Sequence, residues 1–353
     1  LLLGAAVCAT AYFLPHYYAK DEPPTQYVRL KTGGTSVVAV IVDNRWRTVY
    51  RHEKGVQVDY ESTGSTTGLA RLIDKTYAIA FTHAPMSADQ REKARAAGGE
   101  VLHIPIVLCA VVPVYNVKEL KDKPPLKFTG EVLADIYLGK IKTWDHPTLV
   151  ELNKGVPLPP TPITVVHRED SSGTTFLFTD YLASASGEWR EKFGTGKAEL
   201  RWPVGEARPR NLGVAMCVHE KDGAIGYVDR LYASHDEIVL QYGAIQNRDK
   251  TAFVRAEAEN MTAAAQGALA EVPEDLTFDL INKPGKDSYP ITGVIYAVCY
   301  QTQPEPTRTV VGEFLGWATH EGQGYAKKMD YAPLPAELVR RVGQRLQLLT
   351  AGP

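Results

Sequence analysis

The chain has 353 residues, 44% hydrophobic and 23% charged, which is an ordinary globular composition with length for roughly two domains. A formal net charge of −2 excludes a global attraction for nucleic acid and leaves any anion affinity to a few placed groups. The four cysteines (Cys8, Cys109, Cys217, Cys299) show no CxxC spacing and the nine histidines form no HExxH pair, so neither a metal centre nor a cofactor is expected.

Leu1 to Leu14 is apolar and uncharged, and residues 15–28 are polar with Pro23 and Pro24. This start is expected to be the end of a signal peptide or membrane anchor (1–28, with its tether), which implies a periplasmic or extracytoplasmic location. A lipidated Cys8 is disfavoured, because Val7 is bulky for the preceding position. Apolar runs then alternate with amphipathic stretches: strand 27–31, helix 36–54, strand 56–60, helix 66–74, strand 77–81. Such alternation predicts an α/β fold with a largely parallel sheet. Val101 to Val117 is a long β-branched run interrupted by Pro105 and Pro113, read as consecutive strands crossing between two lobes. Helix 130–138, strand 163–167, helices 174–184 and 187–194, and a strand over Ala224 to Val228 follow. Tyr289 to Tyr300 is a further strand segment whose expected partner is the run 101–117, and Cys109 and Cys299 could then be neighbours. Helices 307–322 and 335–349 return to the first lobe. The expected organisation is lobe I from 29–110 and 290–353, lobe II from 111–289, and a ligand cleft between them.

Residues 168–176 read Arg-Glu-Asp-Ser-Ser-Gly-Thr-Thr-Phe. A buried strand precedes them, and Phe176, Phe178, Tyr181 and Leu182 follow at helical spacing. An anion placed there meets unpaired N–H groups and the positive end of a helix dipole, with Arg168 adding a charged fork and Ser172 and Thr174 adding hydroxyls. The plainer alternative is a helix cap at Asp170 or Ser171 with Arg168 on the surface. Gly33-Gly34-Thr35-Ser36 and Ser62 to Gly68 are two more strand-to-helix junctions of the same chemistry. No Gly-Lys-Ser or Gly-Lys-Thr occurs, so none of the three is a P-loop.

These segments, with Thr129 to Trp144, Gly223 to Val228, Tyr289 to Thr292 and Asp330 to Pro335, resemble the phosphate-binding protein of bacterial ABC phosphate importers, the PstS family of solute-binding proteins. The resemblance runs over nearly everything after residue 29. It implies a type II periplasmic-binding-protein fold of two lobes joined by two crossing strands, with dehydrated inorganic phosphate held between them and delivered to membrane permease subunits by a monomer. Carried over by position, it implies phosphate ligands at Thr35, Ser36, Ser65, Arg168, Ser172, Gly173 and Thr174, with Asp170 orienting Arg168. Ser36 stands where the family has phenylalanine and would give only its backbone N–H.

One departure concerns specificity. The family's Ser-Asp-Ala-Pro carboxylate accepts the proton of hydrogen phosphate and rejects sulfate, but this chain reads Thr82-His83-Ala84-Pro85. A neutral imidazole still accepts a proton and an imidazolium does not. His83 is therefore an expected ligand, with discrimination weakening as pH falls through its titration, and the alternative is that Glu61 serves instead. Two other readings are a sulfate or other oxyanion binder on the same fold, and a hydrolase using Ser172 with His83. The hydrolase lacks both a GxSxG elbow and a metal-ligand cluster in the sequence.

Overall fold

The computed structural model describes residues 28–235 and 238–352, so the expectations for residues 1–27, including Cys8, lie outside the described residues. The main sheet is built from β1 (Val28–Gly34), β2 (Val56–Ser62), β3 (Ile79–Thr82), β4 (Val101–Asn116), β5 (Thr164–Arg168), β6 (Glu206–Arg208), β7 (Ala224–Asp229) and β8 (Thr292–Tyr300). Their spatial order is β2-β1-β3-β8-β4-β7-β5-β6, and Gln241–Tyr242 also pairs with β4. β1 lies parallel to β2 and β3, and β5 lies parallel to β6 and β7. The pairings at the centre, β8 with β3 and β4 and β4 with β7, are antiparallel. The sheet is thus two parallel groups joined by antiparallel crossing strands, a correction to the largely parallel expectation.

β4 and β8 are the two crossings. β4 is one 16-residue strand rather than consecutive strands, buried from Leu102 to Tyr115. It pairs with β8 as far as Ala110 and with β7 from Val111 onward. Its prolines are absorbed locally. The register shifts between Ile295 and Tyr296, where Pro105 faces Tyr296, so the missing N–H falls at a bulge. The Pro113 carbonyl accepts from the Gly243 N–H at 3.0 Å. The same register places Cys109 opposite Gly293 and Cys299 opposite Leu102, so the two thiols are about 20 Å apart along the strand. They are not neighbours, and both are free and buried.

Helices cover both faces because the strands are apolar on both sides. The expected helix 36–54 is three pieces, Ser36–Ile41, a π-helical turn Val42–Trp46, and Arg47–Lys54, ending at Gly55 with φ 65°. The wider turn rotates the buried face, so Trp46 and Tyr50 reach Phe314 and Trp317 edge-on or tilted. The Trp46 indole N–H donates to the Gly322 carbonyl at 3.0 Å. At the C-terminus, Thr307–Thr319 and Ala336–Leu346 pack on β4, with Gln323–Lys327 between them. Four further helices were not expected: Ala88–Gly98, Pro147–Leu152, Arg210–Glu220 and Ala258–Ala268.

Gly34 ends β1 with φ 133°, and a Cβ there would lie 2.1 Å from the Phe81 carbonyl oxygen. Both the backbone conformation and the close approach exclude a side chain. Gly34→Ala is expected to lower stability by about 2 kcal/mol or more, read from the denaturation midpoint.

Candidate functional site

Strand ends and helix starts converge at one edge of the sheet. Thr35 follows β1 and caps Ser36–Ile41, its Oγ1 accepting from the Val37 N–H at 3.3 Å. Its carbonyl accepts from the Tyr60 hydroxyl at 2.5 Å. Ser65 opens the helix Ser65–Ile73 after Gly64, whose φ is 84°, and its buried Oγ has no protein partner. Ser172 caps Gly173–Ala185 by accepting from the Thr175 N–H at 3.3 Å. A capping hydroxyl accepts through oxygen and keeps its hydrogen free to donate. Thr174 is buried and its Oγ1 accepts from Asn211 Nδ2 at 3.4 Å. Ser36 is half-buried and its hydroxyl pairs with Tyr232, which leaves its backbone N–H as the group it can offer an anion. Thr66 and Ser171 hydroxyls touch at 3.2 Å across the cleft, so the cleft is closed.

Arg168, at the end of β5, has a side chain only 4% exposed. Its Nε and Nη2 donate to the two carboxylate oxygens of Asp170 at 2.8 and 2.5 Å, and Asp170 Oδ1 also accepts from the Arg210 N–H at 2.9 Å. Nη1 is buried with no partner among the described residues. The fork is therefore fixed on one side and open on the other. Burial pushes the Asp170 carboxyl up, but the hydrogen bonds and charge of Arg168 outweigh it and hold the group below the usual carboxylate range. Arg210 contributes its backbone N–H at the start of the helix Arg210–Glu220. Arg208 pairs with Glu206 at 2.9 Å.

His83 is buried, and both ring nitrogens lack partners among the described residues. It stacks against the start of the helix Gly173–Ala185 so closely that a Cβ on Gly173 would lie 2.3 Å from Nδ1. The ring thus sits beside Ser172, Gly173 and Thr174. Burial, then the neighbouring Arg168 charge, pushes the imidazole down to about 3. His83 therefore stays neutral across the physiological range, and a loss of discrimination driven by its own protonation would begin only in strong acid. Glu61, the alternative to His83, is half-exposed and bound to Arg71 and Tyr77.

Two groups that sequence reasoning missed lie beside His83. Cys109 on β4 and Asp229 at the end of β7 bring donor atoms within 4.8 Å of it and of each other. The fit to a cation is poor. Arg168 depresses the imidazole, and burial pushes both the Cys109 thiol and the Asp229 carboxyl toward their neutral forms. The one available signal was that Asp229 directly follows the Gly223 to Val228 run.

Asp170→Asn is expected to cost about 1–2 kcal/mol, below the 3–5 of a fully buried pair; the carboxylate is 40% exposed and so screened. Chemical denaturation reads this. Buried histidines set a second expectation. His83 and His103 are both pushed down to about 3, so between the ordinary histidine value and that point the unfolded chain binds protons that the folded chain does not. Stability is then fully present above about pH 6.5 and falls as pH drops toward 3. A thermal unfolding series should show this slope, and His83→Asn should flatten it.

A family model described as a PBP superfamily domain matches residues 19–321. The phosphate-binding protein PstS of Pasteurella multocida is 37% identical over 300 residues, 84% of this chain and 84% of the relative. That of Haemophilus influenzae is 36% identical over 300 residues, 84% of this chain and 86% of the relative. Among solved structures, a phosphate-binding protein from Stenotrophomonas maltophilia superposes with a TM-score of 0.67 at 18% identity, covering 90% of this chain and 93% of that one. A periplasmic phosphate-binding protein, PfluDING, bound with phosphate superposes at 0.68 and 20% identity, covering 89% and 93%. The fold is the two-lobe α/β fold of periplasmic binding proteins, and with these sequence matches the chain belongs to the PstS family of phosphate-binding proteins.

Proposed function

We propose that this protein captures inorganic phosphate in the closed cleft and delivers it to the membrane subunits of an ABC importer. The observation that carries this reading is Arg168 Nη1, a buried donor on a permanently charged group with no partner among the described residues. Leaving such a group unsatisfied is costly. A tetrahedral oxyanion among Arg168, Ser65, Thr35, Ser172 and the helix-start N–H groups at Ser36, Gly173 and Thr174 supplies the missing acceptors. Donors from opposite sides of the cleft share one anion, so binding favours closure.

The partner switch of β4 between Ala110 and Val111 supports the division into lobe I (29–110 and 290–353) and lobe II (111–289). The PstS relatives support extracytoplasmic placement. The PstS relatives favour phosphate over sulfate. Binding also fits the residues better than catalysis does. An imidazole held near 3 is too weak a base to activate Ser172, whose hydroxyl already caps a helix. A phosphatase assay is expected to show no turnover.

Calorimetric titration with phosphate, repeated in excess sulfate at about pH 8.5, is expected to give tight binding unaffected by sulfate. Arg168→Ala should weaken it by about 10- to 100-fold, the loss of a charge-assisted hydrogen bond. Sulfate competition, or no phosphate binding at all, would contradict the reading.

A further inference from the structure

His83, Cys109 and Asp229 meet from three different strand segments, and their donor atoms lie within 4.8 Å of one another. Asp229 is 2% exposed and His83 4%. Asp229 Oδ2 and both His83 nitrogens have no partner among the described residues. The rest of Asp229 is fixed: Oδ1 accepts from the Leu231 N–H at 3.2 Å, and its backbone N–H donates to Asn211 Oδ1 at 3.1 Å. A carboxyl oxygen thus lies within 4.8 Å of an imidazole nitrogen, and the imidazole in turn lies against the helix start of the anion site. Their separation is one that a bridging water or a small ring rotation spans.

A neutral imidazole carries one N–H and one lone pair, and the partner of one nitrogen decides the role of the other. We propose that Asp229 is a positioning residue that sets ligand specificity through His83, a proposal that rests on the phosphate reading: the ionised carboxylate holds the imidazole proton on its own side, leaving the anion-facing nitrogen as an acceptor. That nitrogen then accepts a hydrogen bond from the P–OH of hydrogen phosphate, with the proton staying on the anion. Sulfate has no such proton and meets lone pair with lone pair, which is costly in a dry site. A protonated Asp229 donates instead, the tautomer inverts, and the anion-facing N–H accommodates either anion.

The surroundings set where this inversion falls. Burial, chiefly, pushes Asp229 up to about 7; the Leu231 N–H and Arg230 lower it and Asp330 raises it. Cys109, Tyr232 and Tyr331 also face it, each pushed toward its neutral form, and Arg168 acts on His83 from the anion side. His83 remains neutral throughout, so Asp229 is the member that changes charge near neutrality. Discrimination is present above that value and lost as pH falls through it.

The test is competition calorimetry on the whole protein at about pH 5.5 and about pH 8.5, either side of the Asp229 value, for wild type and Asp229→Asn. Phosphate passes from monoanion to dianion over this interval and sulfate does not, so the readout is the difference between the two proteins: the rise in the phosphate-to-sulfate affinity ratio from acid to alkaline pH should be larger in wild type than in Asp229→Asn by about tenfold or more. Nitrogen NMR of labelled histidine in the wild-type phosphate complex supplies a readout that a purely structural role would not move. The His83 tautomer should invert between the two pH values. A tautomer that does not change, or a variant that keeps the wild-type pH dependence, overturns the proposal. Absence of phosphate binding by wild type at both pH values overturns the phosphate reading itself, so the two failures are distinct.

Discussion

A guanidinium that cannot lose its proton is held in a side chain only 4% exposed, and the architecture of the cleft follows from how that charge is satisfied. Asp170 takes two of its nitrogens, and the Arg210 N–H steadies Asp170. The Arg168 backbone N–H is tied to the Tyr227 hydroxyl, which also contacts Thr175 at 2.7 Å. Strand end, helix start and ion pair are therefore one rigid unit that leaves Arg168 Nη1 open alongside the helix-start donors. A site of this kind has its donors aimed before the ligand arrives, so little ordering cost is left for binding.

The antiparallel crossing strands explain how two such units face each other. β4 pairs with β8 over one half and β7 over the other, so the helices that start after β1 and β5 are carried on opposite sides of the same pair of strands. Each parallel group presents the C-terminal edge of its strands, where helix starts collect and where open α/β sheets bind ligands. The Thr66–Ser171 contact closes the two edges together. His83 comes from one side and Asp229 from the other, so the environment of the imidazole depends on closure as well as on its own loop.

Much of this was legible because short apolar strands and the Arg168 to Phe176 run carry strong local signals. Other features had none. Ala88–Gly98 buries only Ala94 and so shows no apolar stripe, although its Ser87 and Gln90 capping box was readable. Arg210–Glu220 begins after Pro209 without a polar cap, at a residue whose φ is 58°. The two prolines of β4 argued for a break that a bulge avoids, and the π-helical turn at Val42–Trp46 is dictated by packing against Phe314 and Trp317 rather than by local sequence. His83 was identified from its place in the chain, but Asp229 and Cys109 share no spacing with it; only the three-dimensional register brings positions 83, 109 and 229 together.

The same closeness separates binding from catalysis. A buried, arginine-flanked imidazole is a poor base and a good hydrogen-bond partner, and hydroxyls that cap helices are donors rather than nucleophiles. The most direct measurement is a high-resolution structure of the protein crystallised with phosphate. The anion should lie in the cleft, accepting from Arg168 Nη1 and Ser65 Oγ and in contact with the His83 ring. An anion bound away from Arg168, or a cleft that stays closed without one in saturating phosphate, would contradict the central claim that this donor is held open for an oxyanion.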